Sequence, residues 1–246
     1  MRKNWPKLSV VMPVYNEAYI IERGIRSFYN ELKGKIDFEM IIAEDGSTDD
    51  TKKILRKLKR ELKIRVYMHD KRKGVLRAFK EALKYPKHEW ILLVDSDYQF
   101  DPKNLWKLLP YTKDHDVILG LKVGRKDPFH RIILSKGFNF LLRLFFKVKF
   151  HDMDTGFKLI NKRVIKKVLK DVGVLSYFTS ELVIRSYYEG FRIVEVPVSH
   201  WKREGGNSNV FPIKRIPSVI LEELISLYKF NKVMKSKYPT LPKNRK

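Results

Sequence analysis

Along the first hundred positions, apolar residues follow two alternating rhythms. Leu8–Met12, Glu39–Ala43, Ile64–Met68 and Trp90–Val94 are short apolar runs of strand length. Between them apolar residues recur at helical spacing. Ile21, Ile25, Phe28 and Leu32 follow Asn16, which the pattern makes a helix cap. Ile54, Leu55, Leu58 and Leu62 follow Ser47-Thr48-Asp49-Asp50, a start resembling a capping box. A third helix is predicted from Gly74 to Leu83, and Asp101-Pro102 predicts the start of a fourth. This alternation predicts an α/β fold with a doubly wound, mostly parallel sheet.

The second half is less regular. Val117–Leu119, Gly156–Ile160 and Ile193–Val196 read as strands, and Phe178 to Tyr188 as a helix. Ile132 to Phe150 is a long apolar helical stretch with scattered Lys and Arg. From Phe211 to about Met234, Ile213, Ile216, Val219, Ile220, Leu224, Leu227 and Tyr228 share a helix with Lys214, Arg215, Lys229 and Lys232. Residues 235–246 read as a frayed basic tail. The pattern divides the chain into one large domain over 1–210 and a basic amphipathic helix and tail over 211–246. The nearest approach to a membrane span, Phe138 to Phe146, is short and broken by Arg143. With no apolar signal region at the N-terminus, the expected location is cytoplasmic, with any membrane contact at the surface.

The 246 residues carry 52 basic and 28 acidic side chains, a net charge of +24. Such an excess calls for an anionic partner: nucleic acid, an anionic bilayer or a phosphorylated substrate. The charge is spread over both halves and forms no basic recognition element, so a nucleic-acid-binding module is the remote alternative. There is no cysteine, which excludes disulfides and thiolate metal sites.

Three predicted strand ends carry polar chemistry: Pro13-Val-Tyr-Asn-Glu17, Glu44-Asp45-Gly-Ser-Thr-Asp49 and Asp95-Ser-Asp97. Ligands of open parallel sheets bind beyond the carboxyl ends of strands. Two hard oxygen donors at such a place suit Mg²⁺ or Mn²⁺ and a bound phosphate. Taken alone, Asp95-Ser-Asp97 reads first as a solvated turn.

The three segments in this order resemble the nucleotide-sugar-binding half of family-two glycosyltransferases with the GT-A (Rossmann-like) fold. Gly120-Leu-Lys122, Arg125 to Arg131 with Ser135, Asp152-Met-Asp-Thr-Gly-Phe-Lys158, Ser180-Glu181-Leu182, Glu195-Val-Pro-Val198 and Arg203-Glu-Gly-Gly-Asn-Ser208 resemble the polyisoprenyl-phosphate branch. That branch includes dolichyl-phosphate mannose and glucose synthases. The resemblance implies a nucleotide-sugar half near 1–102 and an acceptor half near 103–210. It implies that Pro13, Tyr15, Glu17 and Asp45 line a nucleoside pocket, with Asp95, Ser96 and Asp97 at the diphosphate. Asp95, Asp97 and Gln99 are the implied ligands of Mg²⁺ or Mn²⁺. Relatives often have Asp-Asp-Gly-Ser where this chain has Glu44-Asp45-Gly-Ser, and often Arg where it has Lys122.

The acceptor implied is a polyisoprenyl (dolichyl) phosphate. A lipid monophosphate already carries an anionic nucleophile, so it needs cations rather than a general base. Lys122, Arg125, Arg131 and Arg203 supply that charge, and Ser135 a hydroxyl. Asp97, Arg131, Lys122 and Arg203 are the implied catalytic residues. Transfer of a hexose would invert the anomeric centre, with mannose from GDP-mannose the first expectation and UDP-glucose the alternative. A family-two transferase acting on a sugar hydroxyl is the other alternative. Asp154 would then be its base, where the first reading makes it a structural turn. The two apolar-basic helical stretches suit an anionic membrane surface or cover for the sheet.

Overall fold

The computed structural model describes residues 5–204 and 216–239, and the expectations placed on 205–215 and 240–246 lie outside them. The strands are β1 (Leu8–Val14), β2 (Phe38–Glu44), β3 (Arg65–Met68), β4 (Trp90–Val94), β5 (Val117–Val123), β6 (Phe157–Asn161) and β7 (Ile193–Ser199). The helices are α1 (Ile21–Leu32), α2 (Thr51–Glu61), α3 (Val75–Ala82), α4 (Leu105–Leu108), α5 (Phe129–Phe146), α6 (Lys162–Val168), α7 (Phe178–Tyr188) and α8 (Ile216–Lys237).

The strands form one seven-stranded sheet in the order β3-β2-β1-β4-β6-β5-β7. β1 is parallel to β2 and β4, β2 to β3, and β5 to β7, whereas β6 lies antiparallel between β4 and β5. Side chains alternate between the faces. Val11, Ile41, Leu93, Leu119 and Ile160 point into a core shared with α3, α5, α6, α7 and α8. Val10, Met12, Met40, Ile42, Leu92 and Leu159 point into the core beneath α1, α2 and α4. A sheet covered on both faces explains why its central strands read as unbroken apolar runs. Helix α8 belongs to this body: Leu227, Phe230 and Met234 are buried, and Phe230 packs on Phe146 at 4.9 Å between ring centroids.

Several local expectations are corrected. Asn16 caps no helix: its backbone is left-handed (φ 52°), and its amide ties the β1 loop to the next by accepting from Thr48 N at 2.9 Å. Helix α1 starts only at Ile21, without a side-chain cap. The start of α2 is held by Asp49, whose carboxylate accepts from Thr51 N at 3.0 Å. The stretch after Pro102 is no regular helix but a 3-10 turn, the single-turn α4 and a second 3-10 turn. Asp101 does cap it, accepting from Lys103 N at 2.9 Å. Helix α5 runs 129–146 rather than to Phe150, ending where Lys147 turns left-handed. Helix α6 was missed because its Lys-rich sequence hides Val164, Ile165 and Val168, which face the core.

Candidate active site

The carboxyl ends of β1, β2 and β4 meet where the strand order reverses, the place open α/β sheets use for ligands. The loops after β1 and β2 are stitched together. Asn16 N donates to Ser47 Oγ at 2.9 Å, Glu17 N to Thr51 Oγ1 at 3.0 Å and Ala18 N to Asp49 Oδ2 at 3.1 Å. Pro13 is half-buried at the end of β1. Asp45 accepts from the Lys73 and Gly74 amides at 2.8 and 3.0 Å, which folds the β3–α3 loop over it. That loop lays Arg72 over the Tyr15 ring, 4.0 Å from its centroid. Arg72 was not anticipated, because the stacking depends on a loop fixed by contacts distant in sequence, Asp45 among them.

Asp95 leaves β4 beside Gly156, whose carbonyl accepts from its amide at 3.0 Å. A Cβ on Gly156 would overlap the Asp95 carboxylate outright. Asp95 is exposed into a cavity of about 460 Å³. Its deep setting pushes its carboxyl up, against the pull of Lys158 and Lys122. Asp97 is pushed up to about 7 by burial and by Asp95, with Arg203 opposing. Ser96 between them is buried. Gln99 is held by its neighbours: Gln99 Nε2 donates to Trp201 O at 3.0 Å, and Gln99 N to Asp97 Oδ1 at 3.2 Å.

This donor set fits a divalent cation. Both carboxyls are pushed up, Asp97 in part by the charge of Asp95, so the pair has surplus negative charge, and the Gln99 carbonyl adds a third oxygen. Among the described residues no group of three or more His, Cys, Asp or Glu converges. A site of this kind suits Mg²⁺ or Mn²⁺, which use few carboxylates together with substrate phosphates and water.

Lys122, Arg125, Arg131 and Ser135 line the same cavity as Asp95, Asp97 and Gln99. Lys122 pairs with Asp152 at 3.1 Å, and Lys122 N also donates to Asp152 Oδ2 at 2.9 Å. Burial alone would lower the ammonium, but Asp154 and Asp152 raise it. Arg125 Nε pairs with Asp127 at 2.9 Å and Nη1 donates to Ser135 Oγ at 3.1 Å. Arg203 is placed differently. It holds both Glu17 oxygens at 2.8 Å and stands 3.7 Å from Asp97, outside the cavity lining. Burial still raises the Glu17 carboxyl despite that pairing.

Asp154 sits behind the cations. It accepts from Asn139 Nδ2 at 2.7 Å and from Ser135 Oγ at 3.2 Å. Burial would raise it, but Lys122, the Asn139 bond and Lys158 bring it down to about 2. Lys158 lies on β6, wholly buried, and donates to Thr155 O. Burial lowers it to about 8, with Asp95 and Asp154 holding it up. Its signal was a lysine inside the apolar run Phe157-Lys158-Leu159-Ile160.

Asp127, Tyr177, His200 and Glu223 also line the cavity and were not anticipated. His200 stacks edge-on against Phe100, 3.7 Å from Asp127, and burial drives its imidazole down to about 4. The far end of the cavity is apolar. Ile133, Leu134, Phe138 and Leu141 of α5 face Val219, Ile220, Leu224 and Leu227 of α8.

Residues 9–169 match the family model described as glycosyl transferase family 2. The glycosyltransferase AglD of Haloferax volcanii is 31% identical over 211 residues, covering 81% of this chain and 34% of that protein. The dolichol-phosphate mannosyltransferase of Pyrococcus furiosus is 30% identical over 217 residues, covering 83% of this chain and 59% of that one. The chain thus spans about a third and three fifths of those relatives. Among solved structures, glucosyl-3-phosphoglycerate synthase from Mycobacterium tuberculosis with Mn²⁺, UDP and phosphoglyceric acid superposes with a TM-score of 0.71 at 18% identity, over 92% of this chain and 78% of that one. The mannosyltransferase PcManGT from Pyrobaculum calidifontis with GDP-Man and Mn²⁺ gives 0.67 at 16%, over 93% and 65%. These structures share the GT-A-like fold. With the family model spanning well over half of its length, the chain belongs to glycosyltransferase family 2.

Proposed function

We propose that this enzyme moves a hexose, first of all mannose from GDP-mannose, to a polyisoprenyl phosphate at a membrane surface, with inversion. The observation carrying this reading is the cavity. It joins Asp95 and Asp97, through Lys122, Arg125, Arg131 and Ser135, to an apolar space between α5 and α8. Charge at one end and hydrocarbon walls at the other match a lipid monophosphate.

Pro13, Tyr15, Glu17 and Asp45 would hold the nucleoside, and Asp95, Ser96 and Asp97 the diphosphate. Asp95, Asp97 and Gln99 would hold Mg²⁺ or Mn²⁺, which when bound offsets charge on the departing nucleoside diphosphate. Arg203 would steady Glu17 and Asp97 on that side. Lys122, Arg125 and Arg131 would fix the acceptor phosphate with one oxygen toward the anomeric carbon. The nucleophile arrives ionised, so no proton need be removed. Asp154 supports this: a carboxylate at about 2, bonded to Asn139 and Ser135, is a weak base.

The membrane part of the reading rests on exposed apolar side chains beside cations. Phe140, Leu144 and Phe145 of α5 and Leu221, Ile225 and Tyr228 of α8 are exposed, with Arg143, Lys147, Lys229 and Lys232 nearby in sequence. No helix among the described residues is long and apolar enough to cross a bilayer. We place the enzyme as a peripheral protein on the cytoplasmic face.

The test offers labelled GDP-mannose, UDP-glucose and UDP-N-acetylglucosamine separately, with a polyisoprenyl phosphate in detergent and either Mn²⁺ or EDTA. Label should enter the organic phase from one donor and only with metal. Arg131→Ala should raise the acceptor KM at least tenfold, and Asp154→Asn should retain turnover. No lipid product from any donor, with nucleotide binding intact and Asp154→Asn inactive on a sugar acceptor, would move the reading to a hydroxyl acceptor.

A further inference from the structure

Helix α8 is held unevenly. Its second half is anchored by buried Leu227, Phe230 and Met234, by Arg185 lying 5.1 Å from the Phe230 ring centroid, and by Lys237 on Asp171 at 2.6 Å. Its first half forms one wall of the cavity through Val219, Ile220 and Leu224, and is otherwise open to solvent. Leu221 is 60% exposed and Ile225 46%.

Glu223 sits in this loosely held half, among the apolar residues of the wall. Hydroxyls of Ser176 and Ser226 reach its carboxyl, but Oε2 is sealed from solvent with no hydrogen-bond partner. A neutral carboxyl tolerates such a place, whereas a carboxylate with a bare, desolvated oxygen does not. Among the described residues, no surrounding titratable group offers Glu223 an ion pair. Glu222 lies beside it on α8, and Tyr177 faces it from the α6–α7 connection. Farther along the cavity stand Arg131 of α5 and Asp154 of the turn before β6, then Lys122, Arg125 and Asp127.

We propose that Glu223 is a positioning residue for the acceptor that acts through α8. With its carboxyl neutral, the first half of the helix closes on the cavity. When it ionises, that half lifts and the acceptor wall loosens. The acceptor part of this proposal rests on the lipid-phosphate reading, and the movement of the wall does not.

The direction of the pH effect follows from linkage. Burial, with Glu222 adding to it against the two serine hydroxyls, pushes the closed-state carboxyl up to about 7 from an ordinary value of 4.5. Closure is therefore undiminished below the ordinary value. It weakens about tenfold per pH unit between the two values and changes no further above the upper one.

The experiment compares the full chain with Glu223→Gln, a neutral side chain of the same shape. Amide hydrogen exchange of the ligand-free proteins is followed at pH 5 and pH 8, each pair at one pH so that intrinsic rates cancel. At pH 8, amides 219–226 should exchange at least tenfold faster in the wild type than in the variant. At pH 5, half a unit above the ordinary value, the difference should shrink to about fourfold or less, and amides 228–237 should match throughout. Equal exchange of 219–226 at pH 8 overturns the proposal. Should Gln fail to fold, Glu223→Leu fills the wall without charge and carries the same expectation.

In steady-state transfer to a short-chain prenyl phosphate, the acceptor KM of the wild type relative to the variant should rise several-fold from pH 5.5 to pH 8. Donor KM and kcat should stay level. The variant carries the acceptor's own titration, so the ratio isolates Glu223. A flat ratio beside a clear exchange difference overturns the link to the acceptor. An exchange difference with no transfer to the lipid phosphate overturns the acceptor reading and leaves Glu223 in control of the wall.

Discussion

The Asp95 carboxylate occupies the space where any residue but glycine at position 156 would carry its Cβ. The two residues come from opposite sides of the chain's midpoint, and the Asp95 amide completes the contact by donating to Gly156 O at 3.0 Å. Asp95 can point into the cavity only because position 156 has no side chain.

Gly156→Ala should therefore displace Asp95. We expect kcat/KM to fall about a hundredfold or more, the scale of a misplaced catalytic group, with much weaker Mn²⁺-dependent nucleotide binding by calorimetry. A variant with full nucleotide affinity would show that Asp95 needs no such cradle. Gly137→Ala is the contrast. Position 137 lies inside α5 with nothing within 4 Å of an added Cβ. Alanine there should raise stability by about 0.5–1 kcal/mol.

Buried Glu181 organises the approach to the cavity. Its Oε2 accepts from the Gly173, Val174 and Leu175 amides at 2.9, 2.7 and 2.8 Å, and Oε1 pairs with buried Arg185 at 2.7 Å. Those amides precede Ser176 and Tyr177. Removing one partner of a buried ion pair costs roughly 3–5 kcal/mol. Glu181→Gln should lose stability on that scale in urea unfolding, because Arg185 keeps its charge. A loss below about 1 kcal/mol would mean that the loop and Arg185 find other partners.

His200 makes stability sensitive to acid. Its imidazole is held down to about 4 by burial, below an ordinary 6.5, so the folded state stays neutral where the unfolded chain takes a proton. Stability should fall as pH drops from about 6.5 to about 4, and this contribution should be flat outside that window. In His200→Gln the fall should be shallower by a few kcal/mol over the window. Parallel curves for the two proteins would remove His200 from the account.

The sequence made the donor side legible and left much of the acceptor side hidden. Asp95 and Asp97 announced themselves because a buried strand delivered them to a strand end, whereas Pro13, Tyr15, Glu17 and Asp45 were legible only through the family resemblance. Lys122, Arg125, Arg131 and Ser135 were legible as a set, and they do share one cavity. Arg203 was read as a phosphate ligand from its charge, but its two bonds to Glu17 depend on a contact across 186 positions. Lys158 stood in the sequence only as the last residue of the Asp152–Lys158 motif, and Glu223 drew no reading at all. Their surroundings arise from packing between β6 and β4 and between α8 and the body, which local pattern does not encode. Helix α4 failed for a simpler reason: Pro102 and Pro110 bracket a stretch too short for regular turns.

The exposed apolar residues of α8 give a surface prediction. Leu221→Glu with Ile225→Glu should reduce flotation with anionic vesicles at least several-fold while leaving the unfolding midpoint within about 1 °C, since both side chains are largely solvated. Unchanged flotation would put the membrane contact elsewhere on the protein.

The antiparallel β6 has a consequence for how the enzyme comes into being. During synthesis, β1 to β4 emerge first, with the loops after β1 and β2 and Asp95 already present. β4 has no neighbour on one side until residues 157–161 arrive, and Asp95 has no floor until Gly156 does. The earlier strands can pair with one another before then, but the Asp95 carboxylate acquires a defined direction only when the later half closes on it. The direction of Asp95 is thus a report that the later half has folded, and under the proposed function no nascent chain would hold an activated sugar before it had somewhere to send it.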